Sequence, residues 1–146
     1  MADQLFFLSA RPLEMAPPFA LPPSLGALVT FDGVVRDNNM GKPVVRLEYT
    51  AYPALAEREG TRILREAIAR FTLLAACCVH RTGVLEVGEV AVKVWAAAAH
   101  RGEAFAACQA IIDQVKERVP IWKRETYSDG EQTWVTCQHA GPPASP

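Results

Sequence analysis

The segment from residue 101 to residue 118 carries a single apolar stripe with helical spacing, and no other feature limits the fold of this chain as strongly. Its apolar positions step by three and four residues, at Phe105, Cys108, Ile112 and Val115. Pro120 ends the pattern, because proline removes a backbone donor and clashes inside a helix. The segment therefore predicts an amphipathic helix that buries this stripe.

A second helix is predicted to begin at Pro53, since proline is tolerated in the first helical turn. Its apolar residues also recur at helical spacing, at Ile63, Leu64, Ala67, Ile68 and Phe71. Arginine and glutamate residues fill the other side, which we expect to face water.

Strand-like segments surround both helices. Apolar patterns predict strands at residues 5–8, 26–35, 44–52, 77–81 and 89–98, and two short strands between residues 121 and 135. The turn-forming residues 37–43 predict a hairpin between the second and third strands, with a mobile polar tip. Because hairpins dominate both ends of the chain, we expect an α+β fold: a single domain of antiparallel or mixed sheet hairpins with two main helices.

Composition divides the chain into three parts. Residues 1–25 hold the N-terminal strand and a proline-rich connector, residues 26–138 form the main α+β domain, and residues 139–146 form a tail that we expect to fray. At 146 residues the chain is long enough for one domain with a hydrophobic core, and short for two.

Charge and composition exclude several classes of protein. The formal net charge is −1, whereas general nucleic-acid or anionic-membrane binders need an excess of Lys and Arg. No apolar run reaches the roughly 20 residues that span a bilayer, and the N-terminus lacks the basic region of a signal peptide. The cysteines lack the spacing of a zinc site or redox pair. We therefore expect reduced thiols and a cytoplasmic location.

Basic residues at unusual positions are the candidates for a functional site. His100 and Arg101 begin the second helix, where a positive charge opposes the helix dipole but an anion would be bound well. Lys116 is predicted on the shoulder of the buried stripe, where partial burial would suit a proton donor or nucleophile. Lys123 follows Pro120, where the chain can fold back, and Arg36 ends a predicted strand. Each residue, taken alone, is also compatible with a solvated surface cation.

The remaining motifs give weaker signals. His80 lies in an apolar strand segment and is expected to be a structural histidine, and Trp122 and Trp134 are expected to pack the terminal hairpin. No glycine-rich phosphate loop, Ser-His-Asp signature or metal-ligand cluster occurs in the sequence, so we expect neither a metal nor another cofactor. The sequence predicts a small enzyme with a local cationic pocket for an anionic, phosphorylated substrate.

Several segments, taken in order, resemble the large subunit of molybdopterin synthase. The matching pieces are residues 26–37, 47–49, 52–53, 79–83, 99–101 with Phe105, and 116–125. Their most specific parts are the Pro-Ile-Trp-Lys-Arg-Glu segment at residues 120–125 and the strand ending in Val-Arg-Asp at residue 37. The resemblance covers roughly residues 26–135, and Ala98 departs from it, since many relatives have a hydroxyl residue there.

The resemblance implies a sulfurtransferase of molybdenum cofactor biosynthesis with an α+β fold and no cofactor of its own. Members of this family convert cyclic pyranopterin monophosphate into the dithiolene molybdopterin. The sulfur arrives as a thiocarboxylate on the C-terminal Gly-Gly tail of a small ubiquitin-like carrier subunit. Two large subunits form the central homodimer of a heterotetramer.

The resemblance also implies roles for individual residues. Lys116 and Lys123 match the catalytic lysines: Lys116 would transfer protons or engage the acyl group, and Lys123 would steady substrate and oxyanion. The residues that would bind substrate are Arg36, His100, Arg101, Phe31 and Arg124, with the phosphate and pterin held by the first three and the pocket wall shaped by Phe31. The alternatives are a non-catalytic partner-binding scaffold, which has no need for both lysines, and a phosphate-binding hydrolase, which would show a nucleophile or metal cluster.

Overall fold

The computed structural model describes residues 3–136, in which strands and two helices alternate. In chain order the elements are β1 (Phe6–Ser9), β2 (Ala27–Val34), β3 (Asn38–Asn39), β4 (Lys42–Ala51), α1 (Pro53–Phe71), β5 (Ala75–Arg81), β6 (Gly83–Glu86), β7 (Val90–Ala98), α2 (Arg101–Arg118), β8 (Ile121–Tyr127) and β9 (Gln132–Thr136). The expected α+β class and both helices are confirmed. The expected tail lies outside the described residues.

The first sheet has the strand order β1-β5-β7-β2. β1 pairs with β5 in parallel, and the other two pairings are antiparallel. α1 packs on β1 and β5, while α2 packs on β2 and β7, so both helices cover this sheet. β7 is buried along almost its whole length, which explains why it reads as a continuous apolar run rather than an alternating one.

The second sheet has the order β3-β4-β8-β9, and β6 pairs with the other side of β4. β8 and β9 form the terminal hairpin that the sequence predicts. Gly83 has a φ of +91°, a left-handed conformation that favours glycine, and this residue begins β6 directly after β5. The chain therefore passes from the first sheet to the second at Gly83, and β6 is a strand that the sequence pattern did not predict.

The predicted hairpin between residues 26–35 and 44–52 is wrong, because β2 and β4 belong to different sheets. The polar residues between them form only the two-residue ladder of β3 with β4. β2 instead pairs along its whole length with the apolar strand β7, whose residues are almost all buried. Turn-forming residues show that the chain reverses direction, but they do not identify the strand with which it then pairs.

The predicted stripe of α2 is partly wrong, because Phe105 is 63% exposed. The buried face of this helix consists of Ala104, Ala107, Cys108, Ile111, Ile112 and Val115. Its alanines let α2 approach the sheet and α1 closely, so the buried face is centred about one residue away from the predicted stripe. A large apolar side chain near the start of α2 is thus left at the surface.

Replacing Gly60 with alanine should destabilise the fold. A Cβ atom at this position of α1 would lie 2.2 Å from Cγ of the fully buried Phe6, so the helix and β1 would have to separate. We expect the free energy of unfolding, measured by urea denaturation, to fall by about 1–3 kcal/mol. Gly102→Ala is the matched control, since nothing lies within 4 Å of a Cβ there. An equal loss in both variants would contradict this packing argument.

Candidate active site

A cavity of about 170 Å³ lies where the two sheets meet the C-terminal half of α2. The first sheet contributes residues from the end of β2, the end of β5 and the start of β7. α2 contributes Ile112, Val115 and Lys116, and the second sheet contributes side chains of β4 and β8. The walls therefore come from segments far apart in the sequence, and they combine apolar with charged side chains.

Three of the predicted site cations line this cavity: Arg36, Lys116 and Lys123. Arg36 follows β2, and Lys123 lies half-buried on β8. Lys116 follows the buried Val115 on α2, and it is exposed at the cavity rather than partly buried as expected. The structure thus brings these three cations together around one opening, although Arg36 and Lys123 are 87 residues apart in the chain.

Within residues 3–136, none of these three cations forms a salt bridge. Other basic residues of the fold are neutralised, as Lys93 is by Asp32 at 2.7 Å and Arg118 by Glu59 at 2.7 Å. Positive groups around one cavity that form no salt bridges attract anions and stabilise negative charge that develops in a reaction. This geometry suits the binding of an anionic substrate.

His80 forms part of the cavity wall, at the end of β5. It is buried, its Nδ1 atom lies 2.7 Å from the carbonyl oxygen of Arg81, and the ring of Tyr49 meets it edge-on at 4.8 Å between centroids. Burial lowers the pKa of His80 to about 4, and the nearby Lys116 acts in the same direction, while the bond to Arg81 opposes them. The imidazole is therefore neutral at physiological pH.

Glu125 also lines the cavity, although the sequence did not point to it as a site residue. Its carboxylate is buried and accepts hydrogen bonds from Asn39 Nδ2 at 2.6 Å and from the Tyr127 hydroxyl at 3.0 Å. Asn39 belongs to β3, in the polar segment predicted to be a mobile tip, so this bond ties that segment to the cavity wall. Side chains alternate between the two faces of a strand, so Lys123 and Glu125 of β8 lie on the same face. This alternation could have predicted Glu125 as a site residue.

The structure does not bring four other predicted residues into this cavity. His100 and Arg101 follow the end of β7 that lies away from the cavity, whereas Val92 near the start of β7 lines it. At a rise of about 3.3 Å per residue, the two positions are roughly 25 Å apart. Arg124 points to the other face of β8, where it pairs with Glu48 and stacks over the Trp134 ring. Phe31 is half-buried beside Gly33, next to the cavity but not among the residues that line it.

Protonation of His80 should make stability depend on pH. Its pKa is about 4 in the folded chain and 6.5 in the reference state, so the unfolded chain binds the additional proton between these values. The free energy of unfolding is therefore unaffected by His80 above pH 6.5. It decreases as the pH falls below this value, by about 3 kcal/mol at pH 4. Urea denaturation at several pH values should show this loss in the wild type. If His80→Asn, which has no imidazole to titrate, shows the same loss, other groups cause it.

Comparison with known proteins identifies relatives of this chain. The family model described as "MoaE protein" matches residues 9–118. A molybdopterin synthase catalytic subunit from Pyrococcus abyssi is 49% identical over 112 residues, which cover 77% of this chain and 75% of that protein. One from Oryza sativa subsp. indica is also 49% identical, over 73% of this chain, but the match spans only 55% of the longer rice protein.

Solved structures have the same fold. Molybdopterin synthase from Staphylococcus aureus matches with a TM-score of 0.81 and 31% identity, over 92% of this chain and 98% of that chain. A complex of subunits 1 and 2 of the molybdopterin-converting factor from Helicobacter pylori matches with a TM-score of 0.64 over 82% of this chain and 77% of that one. Its 19% identity supports the fold alone. The chain belongs to the MoaE family, the catalytic subunits of molybdopterin synthase, which act in molybdenum cofactor biosynthesis.

Proposed function

We propose that this chain transfers sulfur from a thiocarboxylated small carrier subunit to cyclic pyranopterin monophosphate and so forms the dithiolene of molybdopterin. The observation that carries the proposal is the set of Arg36, Lys116 and Lys123, which line one cavity without salt-bridge partners in the described part of the chain. The substrate phosphate and the carrier thiocarboxylate are both anions. Cations that line one cavity can hold the two anions close together and stabilise negative charge that develops in the reaction.

The two lysines have different surroundings, which supports different roles. Lys116 is exposed on α2 and free to reach the reacting acyl group, so we assign it proton transfer or engagement of that group. Lys123 is half-buried on the rigid strand β8, whose position suits a fixed charge that steadies the substrate and the oxyanion. Arg36 offers a planar guanidinium, which binds phosphate oxygens in pairs.

We propose that His100 and Arg101 act at the cavity of a second copy of the chain. Both match substrate-binding residues of the family, yet in one chain they lie at the opposite end of β7 from the cavity. A homodimer could place the α2 N-terminus of one copy at the cavity of the other, where its free N–H groups and two basic side chains would meet the substrate phosphate. The exposed Phe105, one turn further along α2, would then have a partner surface.

The carrier tail must reach the cavity from outside. The structure supports this because Lys116 is exposed at the cavity and the cavity opens to solvent. A Gly-Gly tail has no side chains, so it can enter a narrow opening that other sequences cannot. With one carrier on each large subunit, the assembly is a heterotetramer. None of the helices in residues 3–136 could cross a membrane. We place the reaction in the cytoplasm, which suits the free, buried thiols of Cys77, Cys78 and Cys108.

The test is conversion of cyclic pyranopterin monophosphate by the purified chain together with a thiocarboxylated carrier subunit. We expect a dithiolene product, detected after oxidation to a fluorescent pterin, and none when the carrier has an ordinary carboxylate. If the chain binds the carrier tail but yields no product, it is a partner-binding scaffold. If it does neither, the proposed function is wrong.

A further inference from the structure

The cavity contains one histidine to which the proposed function gives no role. His80 is 6% exposed and lines the cavity together with Lys116 and Lys123. A purely structural histidine in a strand would face the core or the surface. This one instead lines the cavity that is proposed to hold the substrate, and its role as inferred here rests on that proposed function.

The hydrogen bond at Nδ1 fixes which nitrogen of His80 carries the proton. The partner is the carbonyl oxygen of Arg81 at 2.7 Å, and a carbonyl oxygen can only accept. A neutral imidazole has one N–H, so Nδ1 holds it and Nε2 has a lone pair. The edge-on ring of Tyr49 further restricts rotation of the imidazole. The strand and these two contacts therefore hold a hydrogen-bond acceptor in a fixed orientation.

The charged groups around His80 are mostly positive. The positive charge of Lys116, on α2, is close enough to disfavour protonation of the His80 ring. Arg36 after β2 and Lys123 of β8 line the same cavity, and the buried Glu125 of β8 is held by Asn39 and Tyr127. A neutral acceptor among cations binds their N–H groups without cancelling their charge. A carboxylate in its place would neutralise a lysine and compete with an anionic substrate.

We propose that His80 is a positioning residue for Lys116: no hydrogen bond joins the two side chains in the described structure, but both line the cavity, and the exposed Lys116 ammonium turns toward His80 and donates to its Nε2 atom, which holds that group in the cavity. Lys116 is an exposed lysine with four rotatable side-chain bonds, so confining its ammonium group carries an entropic cost. A hydrogen bond to a fixed, uncharged acceptor offsets part of that cost. The ammonium keeps its full charge and its remaining N–H donors for the thiocarboxylate and the substrate.

Two substitutions separate this role from a structural one. In His80→Asn the side-chain amide can still donate to the Arg81 carbonyl, but no group replaces Nε2. In His80→Gln the longer side chain can place its amide oxygen near the former position of Nε2. We expect His80→Asn to lower kcat by about 10- to 100-fold with little change in KM, because the reacting group is misplaced while binding is retained. His80→Gln should recover part of kcat. Unchanged kcat in His80→Asn overturns the proposal.

A double-mutant cycle tests whether His80 acts through Lys116. In the Lys116→Ala background, His80→Asn should cause no further loss of dithiolene formation, because the group that it positions is already absent. Additive losses would mean that His80 acts on the substrate directly, and would overturn the proposal. Both comparisons are made relative to a wild-type chain that forms product. A wild type without product rejects the proposed function, not this inference.

A measurement on the ring itself needs neither activity nor a His80 variant. Nitrogen-15 NMR of the wild-type chain at neutral pH should show His80 as the Nδ1–H tautomer. The Nε2 resonance should move in Lys116→Ala, because that nitrogen loses its hydrogen-bond donor. An Nε2–H tautomer, or an Nε2 resonance that is the same in both proteins, overturns the proposal.

Discussion

Lys116→Ala should lower dithiolene formation by about 100- to 10,000-fold, the range by which a positioned proton donor or acceptor accelerates a reaction. The thermal unfolding midpoint should change little, because the Lys116 side chain is exposed and forms no salt bridge in residues 3–136. Alanine also keeps the helix propensity high at this position of α2. The measurement is single-turnover conversion of the pterin precursor with excess thiocarboxylated carrier.

Glu117→Ala is the matched control for this variant. Glu117 is the next residue of α2 and is also exposed, but it does not line the cavity. It should convert the precursor at close to the wild-type rate. Similar losses in the two variants would mean that the C-terminal turn of α2 is sensitive to any change, and the catalytic assignment of Lys116 would fail.

A mixture of two inactive variants should regain activity if each site combines two copies of the chain. In Lys116→Ala the cavity lacks its lysine, and in Arg101→Ala the α2 N-terminus lacks its arginine. A dimer with one chain of each kind contains one site with both residues intact. Random exchange makes about half of the dimers mixed, and each mixed dimer has one intact site of two. We therefore expect about a quarter of the wild-type activity. Subunits should be mixed under mild denaturation and assayed after refolding.

The matched control is a mixture of Lys116→Ala with Lys123→Ala. Both lysines line the cavity of the same chain, so every site in the mixed dimer lacks one of them. This mixture should stay inactive. If the Lys116→Ala and Arg101→Ala mixture also stays inactive although both variants dimerise, Arg101 does not act in the site of a second copy.

Local sequence patterns predicted most elements of the fold but not how they pair. Pro53 marks the start of α1 and Pro120 follows the end of α2, because proline restricts the backbone of its own segment. Strand pairing depends on residues far apart, as when β2 pairs with β7, and no local signal encodes it. The exposure of Phe105 has the same origin, since the surfaces around α2 decide which of its sides is buried.

The cationic cavity was predictable only in part. The sequence pointed to Arg36, Lys116 and Lys123, and the structure brings them together. For His80 the sequence gave no sign of a place in the cavity wall, because this residue looks like an ordinary strand residue until the opposite wall is known, and for Glu125 the only signal was its alternation with Lys123. The sequence also could not predict that His100 lies away from the cavity, because this separation depends on the length and direction of β7.

The order of strands in the first sheet has a consequence for biosynthesis of the protein. β1 pairs with β5 and β2 pairs with β7, so β1 stays without its partner until about residue 81 has been synthesised, and β2 until about residue 98. The cavity needs still later residues, because β8 supplies one wall. Such a high contact order slows folding, since long loops must close before they gain stabilising contacts. The N-terminal strands therefore leave the ribosome with unpaired edges, and anion binding can appear only once the chain is nearly complete.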